Sequence, residues 1–271
     1  MTIAIAPEQF YADLTERNRG LIDADAQRAL RTARILVAGC GSTGGATVEP
    51  LARLGAERFI LAEPGTYELN NLNRQSATVE DIGRNKAEVA AQRVRAINPY
   101  ADVRVVTSGV GPENIGALVE DADAIVDGVD VTTVSGWRAK YLLHVEAARQ
   151  GRPVVSGYDL SGTQFVRFHD YRDTSLEPLG GQVEESELGR ESLWQLLLRL
   201  IPREIVPADL IADIRAHREE PEYSIPQLVY ASHLFGALAA RYLVEILAGH
   251  PVRTEVTVDV HALVAPTVSG E

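Results

Sequence analysis

Cysteine, methionine and lysine are scarce in this chain: there is one Cys, Cys40, one Met, and two lysines, Lys86 and Lys140, among 26 basic residues. A single thiol excludes an intramolecular disulfide, a cysteine-paired zinc site and a two-thiol redox relay. The shortage of lysine makes each one a departure from the chain's own preference for arginine, which singles out Lys86. No apolar run reaches the ~18 residues that a membrane span needs, and the opening MTIAIAPEQF lacks the basic flank and long apolar core of a signal peptide, so a cytoplasmic address is expected. The formal net charge of −12 has the wrong sign for gripping a phosphate backbone, which disfavours nucleic acid as a partner. The six histidines show no H-x-x-x-H spacing and suggest no metal site.

What is present is a repeated grammar of short apolar runs and amphipathic stretches. Ile35 to Ala38, Phe59 to Ala62, Val103 to Val106, Ala124 to Asp127 and Pro153 to Val155 read as buried parallel strands. Helices are expected over 24–31, 44–54, 85–97, 112–120 and 137–149 between them. That alternation predicts a doubly wound, Rossmann-like α/β fold with a mostly parallel sheet. Beyond Gly157, Gln164 to Asp170 and Glu255 to Val260 alternate polar with apolar residues, as half-exposed antiparallel strands do, and are expected to extend the sheet. Inserted helices are expected near 192–200 and 208–217, as substrate pocket or plain packing, and a long apolar helix over 227–247, as core or dimer interface. The expected organisation is an N-terminal arm over 1–30 that makes a dimer contact, a nucleotide-binding domain over 31–158, and a sheet extension with helical substrate and dimerisation segment over 159–271.

Gly39, Gly41 and Gly44 match G-x-G-x-x-G between a strand and a helix, where bare backbone N–H groups and a helix N-terminus can face a phosphate. Glu63 ends the second strand, where a carboxylate can accept ribose hydroxyls. These features alone would also serve a dehydrogenase. The next segment, NNLNRQ at 70 to 75, places Arg74 among amides just beyond the ribose acid, which suits a charged triphosphate rather than a nicotinamide ring.

With RNRG at 17 to 20, GCGSTGG at 39 to 45, NNLNRQ, IGRNK at 82 to 86, INP at 97 to 99, DGVD at 127 to 130 and RPVVSG at 152 to 157, the sequence resembles the ThiF/MoeB family, bacterial relatives of ubiquitin-activating enzymes. The resemblance implies ATP-dependent adenylation of a carboxylate by a homodimer. It implies phosphate contacts from Asn71, Arg74 and Lys86, Mg²⁺ handling by Asp130, and an Arg19 that the partner subunit inserts over the ATP. The chemistry is consistent with this: attack at an α-phosphate needs the charge on departing pyrophosphate neutralised by fixed cations and metal. A terminal carboxylate, with a pKa of about 3.5, is already an anion at neutral pH and needs no histidine base.

The sequence departs from the family where the two C-x-x-C zinc pairs and the acceptor cysteine belong, so no zinc is expected. Gly65 stands where another acid is common, and Val131 where an asparagine usually follows the aspartate. The reading that remains is adenylation of a peptide or ubiquitin-like C-terminus, or of a small acid, with direct transfer to an external amine, sulfide or thiol and no enzyme thioester. Three alternatives stay open: an NAD-dependent oxidoreductase, a tRNA-modifying dehydratase of the same superfamily, and a non-catalytic binding protein.

Overall fold

The computed structural model describes residues 5–217, 220 and 225–266. Helices α1 (Pro7–Leu14) and α2 (Ala24–Thr32) precede β1 (Arg34–Ala38). Then α3 (Ser42–Leu54) leads to β2 (Arg58–Ala62), α4 (Lys86–Ile97) to β3 (Asp102–Val106), α5 (Ile115–Glu120) to β4 (Ala124–Asp127), and α6 (Val134–Gln150) to β5 (Val154–Leu160). The chain continues through β6 (Thr163–His169), α7 (Leu193–Leu200), α8 (Ala208–Ala216), α9 (Val229–Leu247), β7 (Glu255–Asp259) and α10 (Val260–Val264).

The seven strands form one sheet in the order β3-β2-β1-β4-β5-β6-β7. The first five are parallel, while β5–β6 and β6–β7 pair antiparallel. After β3 the chain returns to the far side of β1, so the direction of winding reverses between β1 and β4. In open α/β sheets a ligand crevice lies outside the carboxyl ends of the strands at such a reversal. Registers Ala38↔Ala62 and Ala38↔Asp127 bring the ends of β1, β2 and β4 level, which puts Gly39, Glu63 and Gly128 on one edge.

Apolar side chains from alternate strand positions separate two cores. Ile35, Val37, Phe59 and Leu61 pack under α3, α4 and α9, whereas Leu36, Ile60 and Ile125 pack under α5 and α6. Helix α9 is a core helix against α3: a Cβ on Gly236 would lie 2.3 Å from the Ala46 carbonyl oxygen. A third cluster joins Trp137, Tyr158 and Phe165 to Leu196, Leu200 and Leu210, so α7 and α8 bury their apolar faces against the β5–β6 hairpin. Strand β6 corrects the sequence reading: it is buried except at the half-buried Arg167, not half-exposed. It lies between β5 and β7, with Val166 and Phe168 in the first core and Phe165 in the third, so both faces are covered. The edge strand β7 keeps the alternating exposure expected of it. No described helix is long and apolar enough to cross a membrane.

Candidate functional site

The turn from β1 into α3 is held by packing at Gly39 and Gly44 and left open at Gly41. Gly39 has φ +86°, and a Cβ there would sit 2.2 Å from the Gly128 carbonyl oxygen. A Cβ on Gly44 would sit 1.9 Å from the carbonyl oxygen of Gly39. Gly41, the N-cap of α3, has nothing within 4 Å of such a Cβ, and no side chain caps the helix there. The first N–H groups of a helix have no intrahelical partner, and the helix dipole adds partial positive charge. Gly39 and Gly44 are therefore glycine because backbone crosses backbone, while Gly41 fronts open space at an uncapped helix start.

Glu63 reaches that loop from the end of β2. Its Oε2 accepts the Cys40 N–H at 2.8 Å and its Oε1 accepts the Gly65 N–H at 2.7 Å. Each oxygen keeps capacity for one more donor, such as a hydroxyl. A Cβ on Gly65 would lie 2.8 Å from Glu63 Oε1, so a second acid at 65 would crowd the first. The Lys86 Cε lies 3.8 Å from the same point, and the ammonium stands 5.7 Å from the Tyr67 ring centroid. Asn85 fixes this lysine at the start of α4 by accepting the N–H groups of Ala87 and Glu88 while donating to the Glu63 carbonyl. Cys40 is fully buried; burial, then the Glu63 charge, pushes its thiol well up, outweighing the opposing pull of Lys86.

Within NNLNRQ the side chains divide their work. Asn71 is buried and caps a 3-10 turn: its Oδ1 accepts the Glu68 N–H at 3.1 Å and its Nδ2 donates to Asn70 Oδ1 at 2.9 Å. Arg74 is half-buried; Nη1 donates to the Asn70 carbonyl and to Asn73 Oδ1, and Nε donates to Gln227 Oε1. Its Nη2 has no hydrogen bond among the described residues. Burial presses the Arg74 pKa down, against the charges of Asp159 and Asp130. Lys86 thus belongs to the Glu63 side of the edge and Arg74 to the Asp130 and Asp159 side. Among the described residues neither cation is ion-paired.

Asp130 is exposed on the turn after β4, its Oδ1 accepting the Thr132 N–H at 2.9 Å. No group of three or more His, Cys, Asp or Glu side chains able to hold a metal occurs among the described residues. Neighbouring Asp127 is fully buried and has another use: its carboxylate is ion-paired with Lys140, accepts the Ser156 hydroxyl at 2.8 Å and contacts His144 Nε2 at 3.0 Å. Burial disfavours its ionisation, but the Lys140 charge and the His144 hydrogen bond hold its pKa far below the usual carboxylate range. Val131, half-buried, packs on the third apolar cluster.

Arg19 is not gathered with the others. It is exposed and lines a cavity of about 710 Å³ with Tyr11 and Gln27. Its neighbour Asn18 donates to the carbonyl of Leu54, the last residue of α3. At 1.5 Å per residue, that helix puts Arg19 roughly 18 Å from the glycine loop of its own chain.

Sequence reasoning missed Lys140, His144, Asp159, Ser232 and Gln227. The rarity of lysine was a signal for Lys140; nothing local marked the other four.

A family model described as the ThiF family matches residues 15–264. The chain is 33% identical over 165 residues to the probable adenylyltransferase/sulfurtransferase MoeZ of Mycobacterium tuberculosis (strain CDC 1551 / Oshkosh), covering 57% of this chain and 41% of MoeZ. It spans between 22% and 52% of the length of several curated relatives. Among solved structures, PaaA superposes with a TM-score of 0.68 at 18% identity, over 96% of this chain and 82% of PaaA. The tRNA N6-threonylcarbamoyladenosine dehydratase TcdA of E. coli, in complex with ATP, superposes with a TM-score of 0.63 at 22% identity, over 90% and 98% of the two chains. At those identities the likeness establishes the fold, and the match across residues 15–264 establishes the family: the chain belongs to the ThiF family.

Proposed function

We propose that this protein is an ATP-dependent adenylyltransferase that activates a carboxylate and passes the acyl group directly to an external nucleophile. The observation that carries the reading is the open space at Gly41, on an uncapped helix N-terminus, with Lys86 and Arg74 both without ion partners among the described residues. Phosphate is an anion that such a helix start accepts, and Glu63, at the end of the neighbouring strand, has acceptor capacity for the ribose of the same nucleotide. The nicotinamide reading would leave Arg74 without a task.

The substrate carboxylate attacks the α-phosphorus, the bond to pyrophosphate breaks, and Lys86 and Arg74 oppose the charge that accumulates on the departing group. Asn71 holds the turn from which Arg74 extends. Asp130 would hold Mg²⁺, which binds through one or two carboxylates together with substrate phosphates and neutralises charge on them. The buried Cys40 thiol, raised in pKa, supports transfer without an enzyme thioester. The position of Arg19, one helix length from its own loop, suits delivery across a homodimer to the partner's ATP. The substrate is a peptide or ubiquitin-like C-terminus or a small acid, and the net charge of −12 favours these over tRNA.

The test is ATP–pyrophosphate exchange screened across peptides, ubiquitin-like tails and small acids. Exchange that depends on one acid supports the reading. No exchange with any acid, together with thermal protection by NAD but not by ATP, replaces it with an oxidoreductase.

A further inference from the structure

Strand β5 alternates its side chains between two faces. Ser156 bonds to Asp127 and Tyr158 enters the third apolar cluster, so Gly157 and Asp159 face the other way, toward α9. There a Cβ on Gly157 would meet the Phe235 ring, and Asp159 Oδ2 accepts the Ser232 hydroxyl at 2.7 Å from the first turn of α9. The second oxygen, Oδ1, is buried and has no hydrogen-bond partner. A buried carboxylate oxygen left unmatched in a native fold calls for an explanation.

Its surroundings locate it beside the nucleotide edge. The charge of Arg74 acts on Asp159. Gln227 accepts from Arg74 Nε and bridges to Ser161 at the β5–β6 turn, two residues past Asp159. Helices α3 and α9 pack together, and Ser232 lies one turn before Gly236, which touches Ala46, one turn inside α3. The unmatched oxygen therefore sits at the same end of these two helices as the open space at Gly41.

We propose that Asp159 is the acceptor-side catalytic residue: its free oxygen binds the amino group of the second substrate and takes a proton from it, so that the nucleophile is an amine rather than a sulfide or thiolate. This rests on the adenylation reading and adds the class of acceptor. The amine nitrogen attacks the acyl carbon of the adenylate, the C–N bond forms, the C–O bond to AMP breaks, AMP leaves as an anion, and the proton released by nitrogen passes to Asp159. A carboxylate attracts an ammonium and orients its conjugate base, whereas it repels a thiolate or hydrosulfide. Burial raises the Asp159 pKa to about 6, against the Ser232 hydrogen bond and the Arg74 charge, which suits a base working near neutrality.

The closing experiment compares wild type with Asp159→Asn, which can still accept the Ser232 hydroxyl, after circular dichroism confirms the fold. With an acid that supports exchange, amide formation with glycinamide by the variant, normalised to its own ATP–pyrophosphate exchange rate, falls roughly 100-fold below wild type. It still forms hydroxamate from hydroxylamine, an amine already neutral at pH 7.5. Equal normalised amide formation by the two proteins overturns the proposal. A second arm needs no acid: 100 mM methylammonium chloride raises the Tm of wild type above that in 100 mM potassium chloride, and Asp159→Asn shows no difference. An identical response of both proteins overturns it. If no acid supports exchange, the adenylation reading fails alone, and the methylammonium comparison still decides whether Asp159 binds an amine.

Discussion

Glu63 ties the glycine loop to the turn after β2, accepting the Cys40 N–H at 2.8 Å with one oxygen while the other accepts the Gly65 N–H at 2.7 Å. The carboxyl group thereby organises two turns. Glu63→Ala is expected to cost about 1.5–3 kcal/mol in urea unfolding, the scale of hydrogen bonds to a charged group, and to weaken ATP binding as well. Unchanged stability would show that the loop needs no such tie.

Gly39, Gly41 and Gly44 make separable demands. Gly39→Ala and Gly44→Ala drive a Cβ into backbone at 2.2 and 1.9 Å, and a melt should report losses of several kcal/mol. Gly41→Ala meets open space and should unfold within about 1 kcal/mol of wild type, yet bind ATP at least ~10-fold more weakly. Full ATP affinity in Gly41→Ala would place the phosphates elsewhere.

The Asp127 carboxylate and the Lys140 ammonium are buried against each other, so removing one partner strands a charge. Lys140→Met is expected to lose about 3–5 kcal/mol, measured by urea denaturation, and Lys140→Met with Asp127→Leu to recover part of it.

His144 and His169 carry the acid sensitivity of this core. Burial is the leading cause that lowers both, so the folded chain holds them neutral while the unfolded chain takes up protons below its value of 6.5. Stability is therefore complete above pH 6.5 and falls as pH drops below it, by up to about 1.4 kcal/mol per pH unit for each histidine. Asp127, lowered instead, gives up its share only below its ordinary carboxylate range. His169→Phe should flatten the slope between pH 6.5 and 5.5; His169 Nε2 has no hydrogen bond to lose.

Cys40→Ala should leave acyl transfer within about twofold of wild type, and iodoacetamide should leave the native protein unmodified, because the buried thiol is held protonated. Loss of transfer with exchange intact would restore a thioester route.

The parallel strands were legible because Ile35 to Ala38 and Ala124 to Val126 are short unbroken apolar runs, and burial on both faces demands such runs. Strand β6 misled because its polar members Thr163 and Gln164 are fully enclosed, so alternation of polarity did not report exposure. Helix α1 went unseen since Tyr11 is its one buried side chain and leaves little periodic signal. The glycine loop, Glu63, Arg74 and Lys86 lay in local patterns that a sequence displays. Asp159, Ser232 and Gln227 meet through the β5–β6 hairpin and α9, and no spacing in the chain announces a contact made by topology.

The central claim is that Lys86 and Arg74 serve the phosphate tail of one bound ATP, and calorimetric titration with Mg-ATP and with AMP tests it most directly. The account predicts that Lys86→Ala and Arg74→Ala each weaken ATP binding by about 30-fold or more, some 2 kcal/mol, while AMP affinity stays within about twofold. Wild-type ATP affinity in both variants would contradict it.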